Sequence, residues 1–210
     1  AVGDACGHSV QAAFVMTAVR SAMRAVIDDA EANKLDPTVL VAKINRALCR
    51  VTAGHQFMSC LVGIIDRKRM VFDYANAGHP VPILYRQGQS ISLESHGLPL
   101  GILTDAAYSA SEVALRGDDL LVLFSDGLLE TMNEAEELFR SEGVIAALTA
   151  TATADPLDDV LEQIWGSCEQ HGVGEAQDDR TLLVVRMQQT QGPRPPHHVI
   201  SSRQTQLSSR

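Results

Sequence analysis

The order of patterns along the chain constrains its fold more than any single residue. Two segments with helical periodicity come first, then a run of short apolar stretches cut by turn residues, then two more helical segments. Across 9–28, Ala12, Val15, Met16, Val19, Met23 and Val26 recur at helical spacing, with Arg20 and Arg24 off that stripe, so one face of a helix points to a core. Asp36-Pro37-Thr38 supplies a capping side chain and an early Pro for a second helix. Leu40, Val41, Ile44 and Leu48 share its inner face, and Gly54 is the expected stop.

The middle reads as β. Apolar runs at 57–66 and 70–77, joined by Arg67-Lys68-Arg69, predict a hairpin. Stretches 83–86 and 90–93 around Gln87-Gly88-Gln89 predict another. Strands at 108–115 and 120–125 are expected around the turn Arg116-Gly117-Asp118-Asp119. A third helix is expected from Asn133, carrying Leu138, Phe139, Val144, Ile145 and Leu148. The acidic run 133–137 is read as its dipole-favoured N-terminus. A fourth starts at Asp155-Pro156, with Leu157, Val160, Leu161 and Ile164. Residues 181–187 are almost wholly apolar, as in a strand covered on both faces. Helices on either side of hairpins give an α+β domain with largely antiparallel sheets. Residues 1–187 are read as that domain. Residues 188–210, polar and Pro-rich, are read as a mobile tail or a segment docked only by context.

Composition narrows the function classes. A chain of 210 residues can bury one full core. A net charge of −9 argues against sequence-independent nucleic-acid binding, which rests on Lys and Arg. Cys6, Cys49, Cys60 and Cys168 are scattered and read as reduced thiols of a cytoplasmic protein. No run of about 18 apolar residues suggests a membrane span. The start resembles no signal peptide, and without an initiator Met it reads as a piece of a longer protein.

Three acidic positions stand out. Asp4 lies just before the first helix, Asp126 closes the apolar strand Leu121-Val122-Leu123-Phe124-Ser125, and Asp178-Asp179 precedes the last apolar strand. Each sits at the edge of a rigid element, which fixes a side chain well. Carboxylates brought together repel unless a cation lies between them, and hard ions such as Mg²⁺ and Mn²⁺ prefer such oxygens. Asp before Gly at a strand end is also an ordinary turn residue, and spacing alone does not bring these positions together.

The motifs go further. Gly3-Asp4-Ala5-Cys6-Gly7-His8-Ser9 with Ala12-Ala13 resembles the G-D-x-x-G-H-G…A-A block of the PPM (type 2C) protein phosphatases, in their SpoIIE/RsbU-like bacterial branch. Tyr74-Ala75-Asn76-Ala77-Gly78-His79-Pro80 resembles its Y-x-N-A-G-H-P corner, and Leu98-Pro99-Leu100-Gly101 its P-L-G loop. Leu123-Phe124-Ser125-Asp126-Gly127-Leu128-Leu129-Glu130 and Asp178-Asp179-Arg180-Thr181-Leu182-Leu183-Val184 resemble its two remaining blocks, in family order. The resemblance implies a sandwich of two antiparallel sheets flanked by helix pairs, with its N-terminal strands missing here. It implies a two-metal site for Mn²⁺ or Mg²⁺, with Asp4 bridging, the Ala5 carbonyl completing one shell, and Asp126 and Asp178 binding from the other side. His8, Asn76, Asp179 and Arg180 are the expected second layer. Metal-activated water would attack phosphoserine or phosphothreonine directly.

Three departures bear on this. The family's further metal-binding Asp lies upstream of Ala1. Ser9 replaces a glycine. Arg180 stands where phosphate is expected, either aiding substrate or facing solvent, with solvent slightly favoured. His8 either contacts phosphate or ties a turn. Asn76 and His79 are expected to brace their corner more than to do chemistry, and the Met residues of the first helix to pack in the core. The resemblance further implies a phosphorylated STAS-type anti-anti-sigma protein as substrate and an upstream sensor or receiver domain acting through the first two helices. It leaves a homodimer open. A catalytically weak phosphoprotein-binding module on the same fold is the alternative reading.

Overall fold

Apolar runs closed by turn chemistry account for most of the architecture. The computed structural model describes residues 1–7, 10–29, 35–52, 56–94, 97–151, 156–174 and 178–188, with the backbone of 200–205. In chain order the elements are β1 (Val2–Ala5), α1 (Val10–Asp29), α2 (Pro37–Thr52), β2 (Met58–Asp66), β3 (Val71–Ala77), β4 (Ile83–Arg86), β5 (Gln89–Ser92), β6 (Ser111–Ala114), β7 (Leu120–Phe124), α3 (Asp126–Leu129), α4 (Arg140–Ala150), α5 (Leu157–His171), β8 (Arg180–Arg186) and β9 (Ile200–Thr205). They form two compact units: Ala1–His79 with Glu94–Leu115, and Pro80–Leu93 with Arg116–Arg210. Each unit has one antiparallel sheet, ordered β1-β2-β3-β6 in the first and β5-β4-β7-β8-β9 in the second. Two antiparallel sheets with helices make this an α+β fold, as the sequence pattern predicts.

In the first unit, α1 and α2 pack together and α2 lies on β2 and β3. Asp36 caps α2, accepting the Thr38 N–H at 2.7 Å, and Leu40, Val41, Ile44 and Leu48 are buried as expected. The expected stop, Gly54, lies outside the described residues. The 57–77 hairpin is present as β2–β3. Asp66 closes its turn by accepting the N–H groups of Lys68 and Arg69. Asn45, fully buried, holds the loop after Leu100: its amide donates to the Leu103 and Thr104 carbonyls at 2.8 and 3.1 Å and accepts from Gly101 N–H at 2.8 Å.

One expectation for α1 needs correction. Ala12, Val15 and Val19 are buried, but Met16 is 46% exposed, with Val10 and Phe14 also exposed. The stripe facing the core is narrower than the apolar sequence, so not every Met here packs inside. By length and composition α1 is apolar enough to cross a membrane, because a helix with only Arg20 and Arg24 charged over its middle stays apolar on average, but it is not a clear span. Its inner stripe is nevertheless part of the first unit's core.

In the second unit, α4 and α5 pack on each other, and α5 on β8. Leu128, Leu148, Ile164, Trp165, Leu182 and Val184 fill the core between them. The 83–93 hairpin is present, with Gln87 and Gly88 both at positive φ (49° and 82°), a backbone that matches strand twist. Strands form on both sides of 116–119, as β6 and β7, but they join different sheets: β6 pairs with β3, whereas β7 pairs with β4 and β8. Asp119 instead binds Arg86 through two oxygens, at 2.9 and 2.6 Å, and accepts Arg116 N–H. This buried pair settles the strand's neighbour in place of the local turn.

The third helix starts seven residues later than expected, at Arg140 rather than Asn133. The Asn133 side chain accepts the N–H groups of Ala135 and Glu137, while its own N–H donates to the Glu137 carbonyl. This closed turn competes with helix and overrides the dipole argument for the acidic run. Of the two readings of the tail, residues 200–205 follow the docked one: they pair with β8 as β9, because the flank of β8 offers backbone donors and acceptors whatever side chains the partner carries. The rest of 189–210 lies outside the described residues.

Candidate metal-binding phosphatase site

The carboxylates are set by close backbone approaches. At the end of β7, the Ser125 hydroxyl donates to the Asp179 carbonyl at 3.0 Å and accepts the Thr181 N–H at 2.9 Å. The Ser125 N–H donates to the Thr181 carbonyl at 3.0 Å. Gly127 makes this possible: a Cβ there would lie 2.4 Å from the Asp179 carbonyl oxygen, so only glycine admits the 178–179 segment. The strand end at Asp126 and the chain before β8 are thereby fastened together.

That fastening places Asp126 and Asp178 in each other's field. Asp126 is half-buried, and its carboxyl is raised above the usual 3.8, first by burial and then by the Asp178 charge, against the Gly127 N–H that it accepts at 3.0 Å. Asp178 is exposed and accepts the Asp179 N–H at 2.8 Å. Two like charges held at a partly buried edge, each offering hard oxygen, fit a small divalent cation and disfavour each other without one. Asp179 contributes its backbone carbonyl to the Ser125 bond. Arg180 does not simply face solvent: it is half-buried and lines a groove with Asp178.

The first unit carries the other expected residues. Asp4 is on β1, opposite Ser59 in register, and half-buried. Ala5 is buried beside it. Cross-strand partners share a face, so Ser59 flanks Asp4. The Ser59 hydroxyl meets His79 Nδ1 at 2.9 Å. Asn76, fully buried, accepts the His79 N–H at 2.7 Å and donates to the His79 carbonyl at 2.9 Å. Asn76 thus braces the corner, as expected. Gly78 sits at φ +70°, with Pro99 against the place of its Cβ. His8 lies outside the described residues. Sequence reasoning missed Ser59 and the double hydrogen bond of Ser125; only their adjacency to the acidic motifs could have signalled them.

A family model described as stage II sporulation protein E (SpoIIE) matches residues 1–188. The chain belongs to the SpoIIE family. Among relatives of this SpoIIE-family chain, phosphoserine phosphatase RsbU of Bacillus subtilis is 27% identical over 188 residues, covering 89% of the chain and 54% of RsbU. The chain therefore spans little more than half of RsbU's length. The solved SiaA-PP2C domain of Pseudomonas aeruginosa superposes with a TM-score of 0.77 at 23% identity, over 88% of this chain and 74% of that one. The RsbU and RsbW domains of Rv1364c from Mycobacterium tuberculosis superpose with a TM-score of 0.73 at 27% identity, over 94% of this chain and 52% of that one. The fold of the SpoIIE-family chain is thus that of PP2C phosphatase domains.

Proposed function

We propose that this chain is the catalytic domain of a metal-dependent phosphatase acting on phosphoserine or phosphothreonine in proteins. The observation that carries the reading is the Asp126–Asp178 pair, in which burial of Asp126 and then the Asp178 charge raise the Asp126 carboxyl. Asp126 and Asp178 hold divalent cations, Mn²⁺ or Mg²⁺, together with Asp4 and the Ala5 carbonyl. When bound, the ions supply positive charge that activates water and neutralises the phosphoryl oxygens.

The chain's own residues keep the ligands in place. Ser125 ties the strand carrying Asp126 to the backbone of Asp179, and Gly127 keeps that approach short. On the other sheet, Ser59 and His79 support the face that carries Asp4. The reaction adds water across the phosphoester and leaves inorganic phosphate and a free hydroxyl. RsbU is named a phosphoserine phosphatase, and one solved relative carries an RsbU and an RsbW domain in one chain. On that likeness we propose a role in partner switching, with a phosphorylated STAS-type anti-anti-sigma protein as substrate, a sensor or receiver domain as regulator, and the cytoplasm as the place of action. The test is phosphate release from a phosphoserine protein with Mn²⁺. Release that stops with EDTA and is absent in Asp126→Ala supports the enzyme. Tight binding of the phosphoprotein with no release would support a binding module instead.

A further inference from the structure

Beside Asp178, within the second unit, lies a groove of about 480 Å³. Its walls include Met132, Leu138 and Val173, and Arg180 and Asp178 line it with them. Leu138 and Val173 are 36% and 51% exposed, so the apolar walls are open to a visitor. Arg180 opens β8 on the same side as Leu182 and Val184, which are in the core. Its guanidinium therefore emerges at the end of an apolar layer. Gly172, just past α5, packs on Thr131: a Cβ there would come 2.6 Å from the Thr131 methyl, while at 3.8 Å it would only touch Nη2 of Arg180.

Arg180 Nε is buried with no hydrogen-bond partner among the described residues. A guanidinium donor shielded from water and left unmatched is costly, and the fork geometry of Arg suits a carboxylate or a phosphoryl group. A groove walled by Met132, Leu138 and Val173, lined also by Glu130 and Asp178, and holding one unmatched guanidinium donor at Arg180 Nε suits a peptide segment that brings an acidic side chain to that arginine.

We propose that this groove receives the substrate chain flanking the phosphorylated residue, and that Arg180 pairs there with an acidic side chain of the substrate. The proposal rests on the phosphoprotein reading above. It makes Arg180 a specificity determinant, selecting phosphosites with Asp or Glu nearby.

The test compares phosphoserine peptides with Asp, Ala or Lys at each of the three positions on either side of the phosphoserine, in Mn²⁺, for the wild-type chain, Arg180→Ala and Arg180→Glu. At one flanking position the wild type is expected to prefer Asp over Ala by about tenfold in kcat/KM, the scale of one charge-assisted contact. Arg180→Ala erases that ratio, and Arg180→Glu shifts the preference to Lys. A ratio left intact by Arg180→Ala overturns the proposal. So does an equal loss on all peptides and on p-nitrophenyl phosphate, which would place Arg180 on the phosphoryl group. Fluorescence polarisation with the same peptides reads the groove without turnover. Charge-selective binding lost in Arg180→Ala, in a chain that releases no phosphate, keeps the groove and sinks the phosphatase reading. Turnover without acidic preference sinks the groove alone.

Discussion

Ser125 and Asp179, 54 residues apart in sequence, are joined by a 3.0 Å hydrogen bond from the serine hydroxyl to the aspartate carbonyl. The same hydroxyl accepts the Thr181 N–H, so one side chain fastens the end of β7 to the start of β8. Ser125→Ala leaves both backbone groups short of a partner in a buried place. It is expected to lower stability by about 1–3 kcal/mol and to weaken Mn²⁺ binding by loosening the segment that carries Asp178. Urea unfolding and a Mn²⁺ titration of the variant check this; unchanged values in both would remove Ser125 from the positioning role.

Asp126 predicts a pH dependence of the metal-free chain. Its carboxyl is raised above 3.8 by burial and by Asp178. A group whose folded pKa is raised stabilises the fold below its unfolded pKa, and that contribution is lost as pH rises through the folded value. In EDTA, the stability of the wild type relative to Asp126→Asn should therefore fall on going from pH 3.8 towards neutrality. Added Mn²⁺ should reverse the order at neutral pH, raising the wild-type Tm and leaving the variant's nearly fixed. Thermal unfolding across pH, with and without metal, reads both.

The cysteines divide by burial. Cys6 is exposed, while Cys49, Cys60 and Cys168 are buried, and burial pushes the Cys60 thiol up to about 11. A thiol reagent at pH 8 should modify one cysteine of the native chain rapidly and the other three only after denaturation, since the thiolate is the reacting form. Rapid modification of Cys60 in the native chain would contradict its placement in the core.

Asn45 is fully buried and serves three backbone groups of the loop at 101–104. Asn45→Ala strands those groups and is expected to cost about 2–3 kcal/mol, measured by urea unfolding. Asn45→Asp should also destabilise, because it places a carboxylate against the Leu103 and Thr104 carbonyls.

Local signals made much of this fold readable. α2 was legible because Asp36, Pro37 and the Leu40–Val41–Ile44–Leu48 stripe agree, and the β2–β3 and β4–β5 hairpins because their turns are short and local. The partners of β6 and β7 were not, since they are strands distant in sequence, with β7 also tied to β4 by the Arg86–Asp119 pair. The helix expected at Asn133 failed because one side chain closes a competing turn. Of the proposed site, Asp4, Asp126 and Asp178 stand out in the sequence as motif positions. Ser59 does not, because its place opposite Asp4 exists only in the strand register. Arg180 was left open between substrate and solvent, since a strand's first residue carries no sign of which groove it will line.

The most direct test of the account is a Mn²⁺ titration by calorimetry of the wild-type chain beside Asp4→Asn, Asp126→Asn and Asp178→Asn. The account predicts that the wild type binds Mn²⁺ and that each substitution weakens binding by about tenfold or more, with folding unchanged by circular dichroism. Asp4 is decisive because it lies on β1, whereas Asp126 opens α3 and Asp178 precedes β8. Wild-type affinity in Asp4→Asn, or no Mn²⁺ binding by the wild-type chain at all, would contradict a shared cation site built from these three carboxylates.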